Sequence, residues 1–330
     1  MRLTKGADLA AVQDAVSLLK AGKLVAFPTE TVYGLGADAQ NWAAVSSLYK
    51  LKGRPTDHPV IVHLPGLDGI ESWSLNVPSE AIVLGRAFWP GPLTMVLKRS
   101  DKAKDFVTGG QDTVALRVPN HPIALQLLRE FGDGLVAPSA NKFGRVSPTL
   151  AEHVISEFGE EIPLVLDGGA CQVGVESTIV DLSGQGIRIL RPGLISAEQI
   201  AHALELSELP RLTKTEQTVR VPGNLPRHYA PATPLKLVSF DCLIALLEDE
   251  KSSGKRVLYG VISFKEPAKI ECVRQWLTAS SSPDSYAQSL YANLRTLDAA
   301  GCEMLLVEMV PETANWDLVR DRLQRAAIDA

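Results

Sequence analysis

The residues in this chain best suited to chemistry are cations and small hydroxyls set at fixed points of the backbone. Lys52 and Arg54 flank Gly53 in Lys50-Leu51-Lys52-Gly53-Arg54-Pro55. Glycine and proline fix that loop, and a planar arginine fork beside a lysine point charge suits a polyphosphate. The same cations, placed just past a helix C-terminus, also serve as plain caps on the macrodipole. In Phe27-Pro28-Thr29-Glu30-Thr31-Val32-Tyr33 an extended pattern puts Thr29, Thr31 and Tyr33 on one face, either lining a site or forming a polar edge strand. Ser139 and Asn141 follow a short apolar run, where open α/β sheets place ligand contacts and where a simple turn also fits. Arg117 lies between Leu116 and Val118, and Arg191 precedes Pro192. An arginine among apolar strand residues needs an anionic partner or a route to water.

These groups include no evident nucleophile and no acid–base pair, so they favour binding and orienting anionic reactants over covalent catalysis. His58 and His63 are five residues apart around a strand, which points them to opposite faces and makes them poor joint metal ligands. Gly34-Leu35-Gly36-Ala37-Asp38-Ala39 fits the dinucleotide fingerprint G-x-G-x-x-A, but its first glycine falls too far beyond the strand that ends at Phe27. The chain contains no P-loop, H-E-x-x-H or G-x-S-x-G pattern. Ser47 and Lys50 match S-x-x-K only as an exposed pair on a helix.

The elements that must hold these residues alternate along the chain. Asp8 caps a helix that Gly22 stops, and a strand follows over 23–27. Helices are predicted over 41–50, 79–88 and 121–131, with strands over 60–64, 93–97, 114–118, 135–137, 164–166, 178–182 and 187–190. Thr149 and Glu152 read as a T-x-x-E capping box, and Ser183-Gly184-Gln185-Gly186 as a hairpin turn. Hairpins among crossovers predict a twisted mixed sheet flanked by helices. Pro210, Pro222, Pro226, Pro231 and Pro234 mark an extended linker over 206–234, between a domain at 1–205 and another at 235–330. Strands over 235–240, 257–263 and 304–310, with helices over 285–300 and 316–326, make the latter a small three-layer, Rossmann-like α/β domain.

With 330 residues, 45 % of them apolar and 22 % charged, the chain can build sizeable cores and is neither disordered nor fibrous. Its net charge of -5, with a slight acidic excess on both sides of residue 200, lacks the basic character of a dedicated nucleic-acid binder. Cys171, Cys242, Cys272 and Cys302 form no C-x-x-C pair and are expected to be reduced, buried thiols. No stretch reaches the ~18 apolar residues of a membrane span, so a cytoplasmic protein is expected.

Taken together, FPTETVYGLGADA, KGRP, HPVIVHL, FWPGPLTMVL, ALRVPNHP, APSAN, ESTIVD and RPG resemble the YrdC-like family in its long form, threonylcarbamoyl-AMP synthase. The VPGNLPRHYAP linker and the terminal domain resemble the long form specifically. The resemblance implies condensation of L-threonine, bicarbonate and ATP to threonylcarbamoyl-AMP and pyrophosphate, the donor used by a downstream tRNA threonylcarbamoyl transferase. By motif position it places threonine contacts on Thr31, His63, Arg117, Ala137 and Ser177. ATP contacts fall on Arg54, His58, Thr113, Ser139, Asn141, Ser147 and Arg191. Lys52 and Arg54 carry the K-x-R signature and are the catalytic candidates, while His228 and Tyr229 fall in a linker segment that folds over the pocket. Mg2+ is expected on the phosphates of ATP, with no metal held by the protein itself. Two alternatives stand beside this reading. One is an RNA-binding or ribosome-assembly module with weak tRNA binding; the other is a carbamoyl-adenylate former that uses carbamoyl phosphate.

Overall fold

The computed structural model describes residues 2–5, 8–212, 219–223, 227–253, 257–266 and 270–328. In chain order the first part contains β1 (Arg2–Lys5), α1 (Leu9–Lys20), β2 (Val25–Phe27), β3 (Gly34–Asp38), α2 (Trp42–Lys52), β4 (Val62–His63), α3 (Ile70–Trp73), α4 (Ser79–Phe88), β5 (Leu93–Lys98), α5 (Asp105–Thr108), β6 (Thr113–Arg117), α6 (Pro122–Phe131), β7 (Leu135–Val136), α7 (Ala151–Phe158), β8 (Leu164–Asp167), β9 (Thr178–Asp181), β10 (Arg188–Arg191), α8 (Ala197–Ala203) and β11 (Arg211–Leu212). Then come β12 (Leu235–Val238), α9 (Phe240–Ser253), β13 (Tyr259–Ser263), β14 (Val273–Thr278), α10 (Pro283–Ala299), β15 (Met304–Glu308) and α11 (Asp317–Ala326). No helix among the described residues is long and apolar enough to cross a membrane.

The first unit comprises Met1–Phe143 and Ser147–Asn224. Its sheet runs β1-β8-β2-β3-β7-β4-β6-β5-β9-β10-β11 and mixes parallel with antiparallel pairs, the predicted architecture. Alternation along each strand divides its side chains between two faces. Leu116, Met95, Val180 and Ile189 go to one face, packed with Leu48 of α2, Leu84 of α4 and Val154 of α7. On the other face α1 and α6 cover β2, β7 and β8 through Leu19, Leu127, Phe27 and Leu166. Further along that face, Ile61, Val96, Ala115, Ile179 and Leu190 make a separate apolar floor, over which Val221 lies. This floor carries the candidate site.

Several local expectations are corrected. Thr29 to Tyr33 is a turn: the Thr29 hydroxyl accepts from the Thr31 and Val32 amides and donates to the Val32 carbonyl, which bends the chain. Tyr33 therefore leaves the threonines and donates to the Gly169 carbonyl at 2.8 Å. The Thr149 capping box does not form, since α7 is preceded by Leu150 without a side-chain cap and the Thr149 amide donates to His153 Nδ1. Lys52 belongs to α2, which ends at left-handed Gly53, φ 62°. His58 lies in a turn before β4, so strand parity does not relate it to His63. The glycines of the fingerprint pattern make room for an aromatic ring, because a Cβ on Gly36 would lie 2.7 Å from Cε1 of Phe27.

The second unit comprises Gly144–Val146 and Leu225–Ala330; the division between Asn224 and Leu225 falls inside the proline-rich stretch. Its sheet, β12-β15-β13-β14, is parallel throughout. Leu243 and Leu247 of α9 pack on Val261 and Leu306. On the opposite face Gly260 lies under Leu297 of α10. Strand β14 was not anticipated, whereas α9 is the helix expected between the first two strands. Within this unit the Gly144 carbonyl accepts from the Ala230 amide at 2.9 Å, and Arg295 donates to the Val146 carbonyl. The four cysteines are free, but only Cys171 and Cys302 are buried; Cys242 is exposed, contrary to expectation.

Candidate functional site

The site is built from side chains at the strand ends and loops around the apolar floor. Arg117 ends β6 on the face shared with Thr113 and Ala115, and it pairs in the ladder with His63 of β4. Its Nη2 donates to the Thr31 hydroxyl at 2.9 Å and lies 2.8 Å from Oε1 of Glu30. Its Nε donates to the Gly91 carbonyl at 3.3 Å. Thr31 also bonds Thr29, hydroxyl to hydroxyl, at 2.9 Å. The turn that displaces Tyr33 is what brings Thr31 to Arg117. His63 is 2 % exposed, and burial followed by the charge of Arg117 pushes its imidazole down to about 3, so it is neutral at pH 7. Ala137, just past β7, donates its amide to the Ile61 carbonyl two residues before His63.

Ser177 and Arg191 form a second group. Arg191 donates through Nε and Nη2 to the Ser177 carbonyl, at 3.0 and 2.9 Å, and through Nη2 to the Ser177 hydroxyl at 3.1 Å. The Ser177 hydroxyl also meets Thr94 at 2.7 Å. Simple alternation after Ile189 would send Arg191 into the helix-covered core. A register shift between Ile189 and Arg191 prevents this and aims Leu190 and Arg191 together at the floor.

The K-x-R and S-x-N segments meet as a third group. Lys52 is 3 % exposed, and its ammonium donates to the carbonyls of Ser139 (2.6 Å) and Asn141. Burial and then the charge of Arg54 hold it well below the usual lysine range, with Glu157 opposing. Arg54 donates to the carbonyls of His58 (3.2 Å) and Pro59 (2.7 Å) and faces the Phe143 ring at 5.5 Å. His58 meets the same ring edge-on at 5.3 Å, and burial together with Arg54 lowers its pKa. The short run from His58 to His63 thus ties the third group to the first. Ser147 donates to Glu176 at 2.6 Å, both buried.

Thr113 is not drawn into these groups. It starts β6 opposite Lys98 and lines a surface cavity of about 570 Å³ with Leu75, Arg99 and Asp112. His228 and Tyr229 belong to the second unit, where Tyr229, at φ 60°, stacks on Tyr291 at 5.7 Å with Arg322 over its ring at 5.1 Å. Sequence reasoning overlooked Glu30, although it stands between Thr29 and Thr31. It also overlooked Arg220, whose guanidinium donates to the carbonyls of Asp57 (3.1 Å) and Gly109 (2.8 Å), and Pro222, whose carbonyl accepts from Arg191 at 3.1 Å. These linker residues lie beside Val221, at the edge of the floor.

The family model described as "Telomere recombination" matches residues 17–193, and that of the "Threonylcarbamoyl-AMP synthase, C-terminal domain" matches residues 195–328. Threonylcarbamoyl-AMP synthase of Pyrococcus abyssi is 38 % identical over 327 residues, which cover 96 % of this chain and 94 % of that protein. The Bacillus subtilis protein of the same name is 37 % identical, with coverages of 96 % and 92 %. The crystal structure of P. abyssi Sua5 complexed with L-threonine superposes with a TM-score of 0.88 at 36 % identity, covering 96 % of this chain and 94 % of that one.

Proposed function

This chain belongs to the threonylcarbamoyl-AMP synthase family, and from that premise we propose how its residues divide the work. The enzyme is a nucleotidyltransferase that condenses L-threonine, bicarbonate and ATP to threonylcarbamoyl-AMP and pyrophosphate. Family membership favours this reading over an RNA-binding module.

The observation that carries the assignment is the Arg117–Thr31 contact at 2.9 Å, beside a neutral His63. Arg117 clamps the carboxylate of threonine. Thr31, Ser177, the backbone at Ala137 and the uncharged imidazole of His63 supply neutral donors and acceptors around the rest of the amino acid. Bicarbonate takes a proton from the threonine ammonium and splits to CO2 and water. The freed amine attacks CO2 and loses its second proton to solvent, and the carbamate oxygen attacks the α-phosphate as pyrophosphate leaves. Carboxylate, carbamate and triphosphate repel one another unless cations hold them. Arg54 and Arg191 provide those cations and stabilise charge on the leaving pyrophosphate, with His58, Ser139, Asn141, Ser147 and Thr113 as further ATP contacts. Lys52, turned onto two carbonyls, serves by fixing the Ser139–Asn141 loop.

Mg2+ would be held by the triphosphate and water, where it would offset phosphate charge. The product is a reactive mixed anhydride, which calls for a downstream tRNA threonylcarbamoyl transferase in the same compartment. We place both in the cytoplasm, a setting that suits four free thiols. Any direct tRNA binding would be weak and salt-sensitive.

The test is pyrophosphate release with threonine and bicarbonate each omitted in turn. Release that needs both is expected, with Arg54→Ala impairing ATP turnover and Arg117→Ala raising the threonine requirement. Release independent of threonine, or an Arg117→Ala defect confined to ATP, would overturn the assignment.

A further inference from the structure

Glu30 stands at the threonine end of the site, 3 % exposed, with Oε1 2.8 Å from Arg117. Neither carboxylate oxygen has a hydrogen-bond partner among the described residues; Oε1 meets Arg117 as an ion pair, and Oε2 meets no donor. A carboxylate removed from water is costly unless both oxygens meet a donor or a cation. The nearby His121 acts on Glu30 through charge without a hydrogen bond to it, since its Nδ1 accepts from the Ile123 amide as the cap of α6 and its ring also meets the Gly168 backbone. Arg117 has the opposite imbalance. Its Nη2 is shared by Glu30 and Thr31 and its Nε is on Gly91, while Nη1 has no partner among the described residues.

A buried pair with one unmatched acceptor and one unmatched donor, of opposite charge, complements a molecule that carries carboxylate and ammonium on a single carbon. We infer that Glu30 is a specificity-determining residue that pairs with the α-ammonium of threonine while Arg117 takes the carboxylate. The inference rests on the assignment of Arg117 to threonine made above. It also accounts for how a site rich in cations keeps its reactants apart. Arg117 alone would attract any anion, including the phosphates and bicarbonate held nearby. With Glu30 beside it the subsite is close to neutral overall, accepts a net-neutral zwitterion and repels a bare anion.

The experiment compares binding of L-threonine with that of (R)-3-hydroxybutyrate, which has the same carbon skeleton without the ammonium, to the full-length chain by calorimetry. Wild type is expected to prefer threonine. In Glu30→Gln, threonine binding should fall about tenfold or more, while 3-hydroxybutyrate binds as well as before or better, so the preference collapses. Glu30→Asp keeps the charge and should restore part of the preference. Because the readout is a ratio within one preparation, it does not depend on the fraction of protein that folds. Equal weakening of both ligands in Glu30→Gln, or an unchanged ratio, would overturn the inference. Wild-type threonine binding by Arg117→Ala would instead overturn the assignment beneath it.

Discussion

Lys52 closes the last turn of α2 with its ammonium 2.6 Å from the carbonyl of Ser139, a residue 87 positions further along the chain. The same ammonium reaches the Asn141 carbonyl, so one side chain fixes both ends of the S-x-N segment. Lys52→Met keeps the length of the side chain and removes these donors. Two carbonyls left without their donor should cost about 2–3 kcal/mol in a urea melt. The kcat should fall by more than threonine affinity changes. A variant with normal kcat would show that the loop holds its shape without the clasp.

Arg191 donates through two nitrogens to a single carbonyl, that of Ser177. Lysine carries the charge but cannot reproduce the planar fork. Arg191→Lys is expected to lower kcat/KM for ATP about tenfold or more, the effect of losing one bidentate, charge-assisted contact. Steady-state pyrophosphate release at varied ATP checks this, and activity equal to wild type would show that charge alone suffices.

The pH dependence of stability follows from His63. Burial and Arg117 push its imidazole down to about 3 in the folded chain, against about 6.5 when unfolded. Between those values the unfolded chain binds the extra proton. Stability is therefore fully present above about pH 6.5 and is lost as pH falls toward 3, at up to about 1.4 kcal/mol per pH unit. Urea midpoints measured between pH 7 and 4.5 should decline less in His63→Gln than in wild type. Parallel declines would assign the acid sensitivity to other groups.

The cysteines should label in sequence. Cys242 is exposed, whereas burial pushes the Cys171 thiol up to about 12 and also raises Cys302. A thiol-specific chromogenic reagent should react quickly with one group in the native protein and with all four after denaturation. Cys242→Ser should abolish the fast phase. A fast phase that survived would mean that another cysteine becomes accessible.

What was legible in the sequence was what the backbone fixes locally. Gly53 and Pro55 marked the Lys52–Arg54 loop, and alternating apolar residues located β5 and β6. The Thr29–Tyr33 segment misled because its alternation imitates a strand, whereas the Thr29 hydroxyl competes for the backbone and makes a turn. Strand β14 escaped notice because Arg274 and Gln275 interrupt its apolar pattern and most of its residues are only partly buried. The shift before Arg191 had no sequence signal, since an extra residue in a strand is defined by its partner strand. Glu30 was invisible for a related reason: its meaning depends on Arg117, 87 residues away along the chain, and an isolated glutamate in a motif reads as solvent-facing.

The membership of Gly144–Val146 in the second unit has a consequence for cutting the chain. The two units are interleaved in sequence, so no single cleavage can separate them whole. A fragment ending at Asn224 would keep these three residues but forfeit the Ala230 amide and the Arg295 guanidinium that hold them. They lie between Asn141 and Ser147, two of the ATP contacts proposed above. A shorter protein built only from the first unit would therefore need a different sequence at 144–146, one able to satisfy its own backbone or leave it to water.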